Sequence, residues 1–177
     1  MSRLPIAYRW IEDLDPLPLM IRHALAVFGT VEAPGTADNP VILDWAREAG
    51  VANVYSSDAI PWCGLFMAVI AKRAGKRVPD KPLWALNWSR FGQAVEEPAL
   101  GDVLVFRRNG GGHVGLYIGD DRRAYHVLGG NQSDRVCFAR IAKARLHAVR
   151  RPEYRNKPIT ARRFMLASGG VLSSNEA

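Results

Sequence analysis

The chain has few of the side chains from which metal and redox sites are built: two cysteines and four histidines in 177 residues. Cys63 and Cys137 lie 74 residues apart, with no C-x-x-C spacing and no paired histidines beside either. That pattern suggests neither a zinc site nor a redox dithiol, and nothing in it supports a disulfide between the two. No metal site and no cofactor is expected. Long hydrophobic runs are also missing: no stretch of about 18 apolar residues occurs, so no transmembrane segment is expected. Glu12, Asp13 and Asp15 interrupt what would have to be the apolar core of a signal peptide, which predicts synthesis in the cytoplasm without one. There is no internal repeat. Composition, 48% hydrophobic and 23% charged, excludes whole-chain disorder and a collagen-like repeat.

Acidic residues become scarce toward the end. Residues 135–177 carry ten basic side chains against two acidic ones, whereas residues 1–134 are close to neutral, so the net charge of +7 belongs to the last quarter. A basic segment invites a nucleic-acid reading. These charges, from Arg135 to Arg163, are spread over strand-like runs and a tail with no nucleic-acid motif beside them, so no specific nucleic-acid partner is expected.

The length suits one domain. Residues 1–18 read as a proline-punctuated lead, 19–152 as the domain, and 153–177 as a basic and then polar, mobile tail. Leu19 to Phe28 has apolar residues at helical spacing and stops at Gly29. Asn39 and Pro40 offer a cap and first turn for a second helix ending at Gly50. A third begins around Cys63 in WCGLFMAVIAKRAG, which places that thiol in a first helical turn. Beyond Gly101 the pattern changes to VLVFR, HVGLYIG, RAYHVLG, RVCFAR and LHAVRR, separated by Gly, Asn and Asp turns. These predict about five mostly antiparallel strands, because the links are too short for helical crossovers. Helices first and strands second make an α+β fold.

Cys63 is the candidate nucleophile. A free cysteine is ordinarily a packing residue, but one in a first helical turn faces unpaired N–H groups and the positive end of the helix dipole, which favour thiolate. Cys137 has no such setting and reads as packing. A base for the thiol has to be a histidine, and His113 follows three glycines and opens a strand 50 residues after Cys63. A helix-start cysteine followed by a strand-start histidine is the arrangement expected of Cys-His nucleophilic catalysis, although spacing alone does not establish contact. A third group should accept from the other ring nitrogen. Asn131 in GGNQ and His126, on opposite faces of a period-two strand, are the two candidates. Asp58 reads as a helix cap or a substrate contact, with capping first, and Asp102 as a turn residue. Trp62, Trp84 and Trp88 could line a groove, although buried packing is the default for tryptophan.

The order PWCGLFM, LWALNW, GDVLVFRR, GHVGLYIG and VLGGNQ resembles the NlpC-like and CHAP superfamily of bacterial and phage cell-wall hydrolases over about residues 19–152. The resemblance implies a papain-like fold. It also implies a cysteine peptidase or amidase that cuts amide bonds in the peptide stems of peptidoglycan, with Cys63 as nucleophile and His113 as base. Asn131 matches the third residue of CHAP-type enzymes and is favoured; His126 matches the second histidine of NlpC-type enzymes by spacing. Asp58, Trp62 and Gln132 are its candidate substrate contacts. The family's Asp-Cys-Ser start is here Trp62-Cys63-Gly64, so cleavage specificity does not carry over. Such a hydrolase would act at the wall, delivered by a holin, a phage tail or a secretion apparatus, with an immunity protein as a further candidate partner, and its basic quarter would favour an anionic envelope. Alternative functions are a catalytically silent wall-binding or phage-structural module, or an acyltransferase using the same Cys-His pair.

Overall fold

A computed structural model describes residues 3–169 and 171–173; residue 170 and residues 174–177 of the basic and polar C-terminal stretch lie outside the described residues. The fold is α+β. After a 3-10 helix over Ile6–Asp13 come α1 (Leu19–Ala26), α2 (Pro40–Ala49) and α3 (Cys63–Arg73). A second 3-10 turn, Ala85–Arg90, leads into β1 (Gln93–Ala94), β2 (Val103–Arg108), β3 (Gly111–Asp120), β4 (Ala124–Gly129), β5 (Cys137–Ala142) and β6 (Leu146–Arg151). The sheet has six antiparallel strands in the order β1-β6-β2-β3-β4-β5. The strand beyond the five expected is β1, two exposed residues whose partner is β6.

Helix ends follow local chemistry. Asn39 accepts from the Val41 N–H in front of Pro40, and Gly50 ends α2 in the left-handed region at φ 77°, where glycine meets no Cβ penalty. α3 is central: every residue from Cys63 to Ala71 is buried. Such all-round burial marks a core helix rather than an amphipathic surface one.

Alternation along the strands makes two apolar faces. Val103, Val105, Val114, Leu116 and Leu128 join α1, α2 and α3 in the main core, whereas Leu104, Phe106, Tyr117, Val127 and Ile141 form a second core on the opposite face. At about 25 cal/mol per Å² of buried apolar area, the helix side is the larger source of stability.

The lead before α1 and the segment after β6 are both packed onto this frame. In the lead, Ile11 is fully buried and Tyr8 stacks on Phe138 of β5 with ring centroids 4.0 Å apart. Residues 160–166 return along the sheet: Leu100 N–H donates to Arg162 O, Asp120 N–H to Phe164 O, and Leu166 N–H to Asp120 O. Asp120 also accepts from Tyr117 OH, Lys143 and Arg163. The first part of the expected tail is therefore anchored by a buried carboxylate. Among the described residues no helix is long and apolar enough to cross a membrane.

Candidate active site

The start of α3, the first half of β3 and the loop after β4 converge. Glycines set how closely. A Cβ on Gly64 would lie 2.3 Å from Pro82 O and 2.6 Å from Leu83 O, and one on Gly130 would lie 2.5 Å from Phe66 Cβ. Real Cβ atoms do not approach this closely, so α3 sits against both neighbours only because those side chains are missing.

Cys63 is 3% exposed. Burial pushes its thiol pKa up, and this outweighs what pulls it down: the backbone N–H of Val114, the charge of Arg108, and the N–H groups of Gly64 and Cys63 itself. The expected amides do face the sulfur, but the expected preference for thiolate is reversed, because desolvation penalises a charge more than a helix start rewards it. The Val114 amide also fixes the sulfur's position, beside the residue that follows His113.

His113 is fully buried, and its Nε2 lies 3.0 Å from Gln132 Oε1. The Gln132 Nε2 donates to Val127 O at 3.3 Å and to Cys137 O at 2.5 Å. Since both neighbours are carbonyls, the amide has one sensible orientation, with Oε1 turned to the imidazole. Oε1 can only accept, so the proton of a neutral His113 resides on Nε2 and Nδ1 is the basic nitrogen. Space for this contact is provided by Gly129, where a Cβ would lie 2.7 Å from Gln132 Oε1 and 3.3 Å from His113 Nε2.

The acceptor beside the His113 ring is thus Gln132, expected among the substrate contacts, rather than Asn131 or His126. Asn131 is adjacent but in the left-handed region at φ 55°, and its buried Oδ1 has no hydrogen-bond partner among the described residues. Ser133 and Asp134 are left-handed as well, at φ 52° and 60°. This coil ends the alternation of β4, so the period-two rule does not extend from His126 to residues 131 and 132. His126 is directed elsewhere: its Nδ1 pairs with Tyr8 OH at 2.7 Å and its Nε2 with Asp121 Oδ2 at 3.0 Å. Its strand neighbour Leu128 belongs to the helix-side core, whereas Val127 belongs to the opposite one. Burial lowers the pKa of His126, against the pull of Asp121.

Asp58 and Trp62 do not present themselves to a substrate, and Asp58 does not cap α3, whose start has no side-chain cap. Asp58 is 2% exposed and its Oδ2 accepts from the N–H groups of Ala33 and Asn39, both at 2.8 Å. Trp62 is fully buried and donates to Glu32 Oε2 at 3.1 Å. Both residues thus hold segment 30–33, which also braces the Gln132 loop: Val136 N–H donates to Thr30 O and Glu32 N–H to Asp134 O. One linker ties the residue before Cys63 to the loop behind His113. Trp88 is buried, its indole donating to Pro82 O, whereas Trp84 is 72% exposed. Asp102 accepts from the Ala99 N–H, as a turn residue does, and also pairs with Arg151 at 2.7 Å.

Cys137 donates its thiol to Gln132 O at 3.2 Å, a packing contact behind the site, and the two cysteines are not joined in a disulfide. Among the described residues no group of three or more His, Cys, Asp and Glu side chains is arranged to hold a metal ion. What the cluster offers is acyl-transfer chemistry: a thiol at a helix start, an imidazole of defined tautomer, and backbone N–H groups nearby. No protein-family model matches the sequence, and no curated protein matches it either.

Proposed function

We propose that this chain is a cysteine hydrolase that cuts amide bonds in the peptide part of peptidoglycan. The observation that carries the chemistry is the Gln132–His113 hydrogen bond, with the Cys63 sulfur held at the Val114 amide. In this reading His113 Nδ1 takes the thiol proton and the thiolate attacks the amide carbonyl. The N–H groups of Cys63 and Gly64 are the helix-start donors available to the oxyanion. The imidazolium then protonates the leaving amine, and the C–N bond breaks to leave an acyl-enzyme. His113 next deprotonates a water that attacks the thioester, and the proton returns to the thiolate as the acid product departs. Gln132 accepts from Nε2 throughout, holding the ring through both proton transfers. The wall peptide as substrate rests on the sequence resemblance.

Purified sacculi supply the test. Cys63→Ala should abolish release of soluble muropeptides without changing the melting temperature by more than a few degrees, and mass spectrometry of the products identifies the bond cut. Turnover by Cys63→Ala at the wild-type rate would remove Cys63 from the mechanism. One observation favours a second reading, a wall-binding module without turnover: Cys63 and His113 are 3% and 0% exposed. A wild-type protein that cosediments with sacculi and releases nothing from them would select it.

A further inference from the structure

We infer that the chain carries a second binding site, for a phosphoryl group, in an open cleft at the other end of α3 from Cys63. Cys63 opens that helix and Arg73 closes it, a separation of about 15 Å along the axis, and the cleft begins two residues later. Its volume is about 680 Å³, within the range of small-ligand sites and larger than a single phosphate requires. Lys76, Arg77, Arg90 and Arg155 line it, against only Asp80 and Glu153 of opposite sign.

The cations divide into those that build the walls and those left over. Lys76 is spent on structure: its Nζ donates to Glu153 O and lies 5.2 Å over the Tyr154 ring. Arg150, behind the cleft, donates to Phe91 O at 2.5 Å and to Gly92 O at 2.7 Å. Gly92 is required there, since a Cβ would meet Arg151 O at 2.0 Å. Three separate segments are thereby pinned around one opening. Arg77, Arg90 and Arg155, one from each segment, line that opening, and their side chains make no hydrogen bond or ion pair to any described residue.

Arg77, Arg90 and Arg155 are exposed, so their guanidinium groups are hydrated and turn freely at the mouth of the cleft. An anion with several oxygens offers acceptors to all three segments at once. Guanidinium groups are planar forks that match phosphate oxygens two at a time, and they are less strongly hydrated than ammonium groups. A phosphoryl group, free or in a lipid headgroup, is therefore the ligand chemistry the cleft fits. This site stands independently of the Cys63 chemistry.

Inorganic pyrophosphate is the probe, titrated calorimetrically into the full chain at low salt, where such contacts are least screened. One-to-one binding is expected, weakened at least tenfold in Arg77→Gln/Arg90→Gln/Arg155→Gln. A charge-matched control, Arg22→Gln/Arg122→Gln/Arg123→Gln, should bind as wild type. Vesicles containing phosphatidylglycerol separate the sources. Retention lost in the cleft variant, kept in the control and competed by pyrophosphate assigns a lipid headgroup; pyrophosphate binding without vesicle retention assigns a soluble phosphate. No pyrophosphate binding, equal losses in the two triple variants, or binding of duplex DNA through these arginines in the absence of pyrophosphate binding would overturn the inference.

Discussion

Replacing Gln132 by Leu keeps most of the side-chain volume and removes three hydrogen bonds: Oε1 to His113, and Nε2 to Val127 O and Cys137 O. Gln132 is 1% exposed, so the groups left behind cannot all turn to water. Each lost bond costs about 1 kcal/mol net, and each buried group left unsatisfied costs about 1–3. A destabilisation of at least about 3 kcal/mol follows for the three bonds, and for a domain of this size each kcal/mol moves the melting temperature by about 2–4 °C. The imidazole, without its acceptor, samples both tautomers and rotates more freely. We expect kcat/KM on sacculi to fall by about 10–100-fold, equivalent to about 1.4–2.7 kcal/mol of transition-state stabilisation, with kcat carrying the loss. The comparison variants are Asn131→Gly, which keeps the left-handed backbone without strain, and His126→Ala. The assay is muropeptide release at a temperature where thermal melts show every variant folded. Asn131→Gly should remain within about threefold of wild type, and His126→Ala should lose melting temperature while keeping kcat. A folded Gln132→Leu protein that turns over at the wild-type rate, or an Asn131→Gly protein slower than it, would refute the assignment of Gln132 to the histidine.

Gly129→Ala puts a methyl group within 2.7 Å of Gln132 Oε1; the amide must move, so activity should fall at least tenfold, with about 1–3 kcal/mol lost in urea unfolding. Equal activity would mean that the loop yields without consequence. Tyr117 OH, Lys143 and Arg163 hold the Asp120 pKa down from 3.8 to about 2 against the effect of burial. A depressed carboxylate stabilises the fold above its unfolded pKa and loses that contribution as pH falls from about 4 to about 2. Because Lys143 and Arg163 are partly exposed, the contribution is about 1–2 kcal/mol, and Asp120→Asn should flatten this limb of an acid-denaturation curve; an unchanged limb would refute it. Arg151→Met strands the Asp102 carboxylate, which is 1% exposed and whose pKa burial already raises. A loss of about 3–5 kcal/mol is expected in urea, and one below about 1 kcal/mol would show that water reaches Asp102.

The elements readable from sequence are those whose signals are local. Asn39-Pro40 and Gly50 bracket α2 by side-chain and backbone chemistry within a few residues, and β2 to β6 announce themselves by apolar and aromatic runs between turns. β1 had no such signal: Gln93 and Ala94 are a strand only because β6 lies beside them. The pairing of His126 with Tyr8 joins residues 118 positions apart, beyond any periodicity argument. Asn131 and Gln132 are neighbours in one GGNQ turn, and which of them meets the histidine is decided by a coil with three left-handed non-glycine residues, to which the alternation of β4 does not extend. The cue in the sequence was the Gly129-Gly130 pair, two positions without side chains next to a polar one. Trp62 and Asp58 stand close to Cys63 in sequence, which made them look like substrate contacts, yet both are spent on segment 30–33. Closeness to a nucleophile along the chain does not distinguish a groove wall from the brace behind it.

The burial of Cys63 has a consequence for labelling experiments. A reagent such as iodoacetamide cannot meet a sulfur on a residue 3% exposed until its cover is displaced, whereas Cys137 is partly accessible in the closed form. The two thiols therefore read different quantities in one reaction. Cys137 reports the folded chain's labelling at a thiol whose pKa burial also raises, and Cys63 reports labelling that waits for its cover to be displaced. Their ratio in the folded chain, divided by the same ratio in urea, where neither thiol is covered, is a clock on opening with its reference built into the same chain.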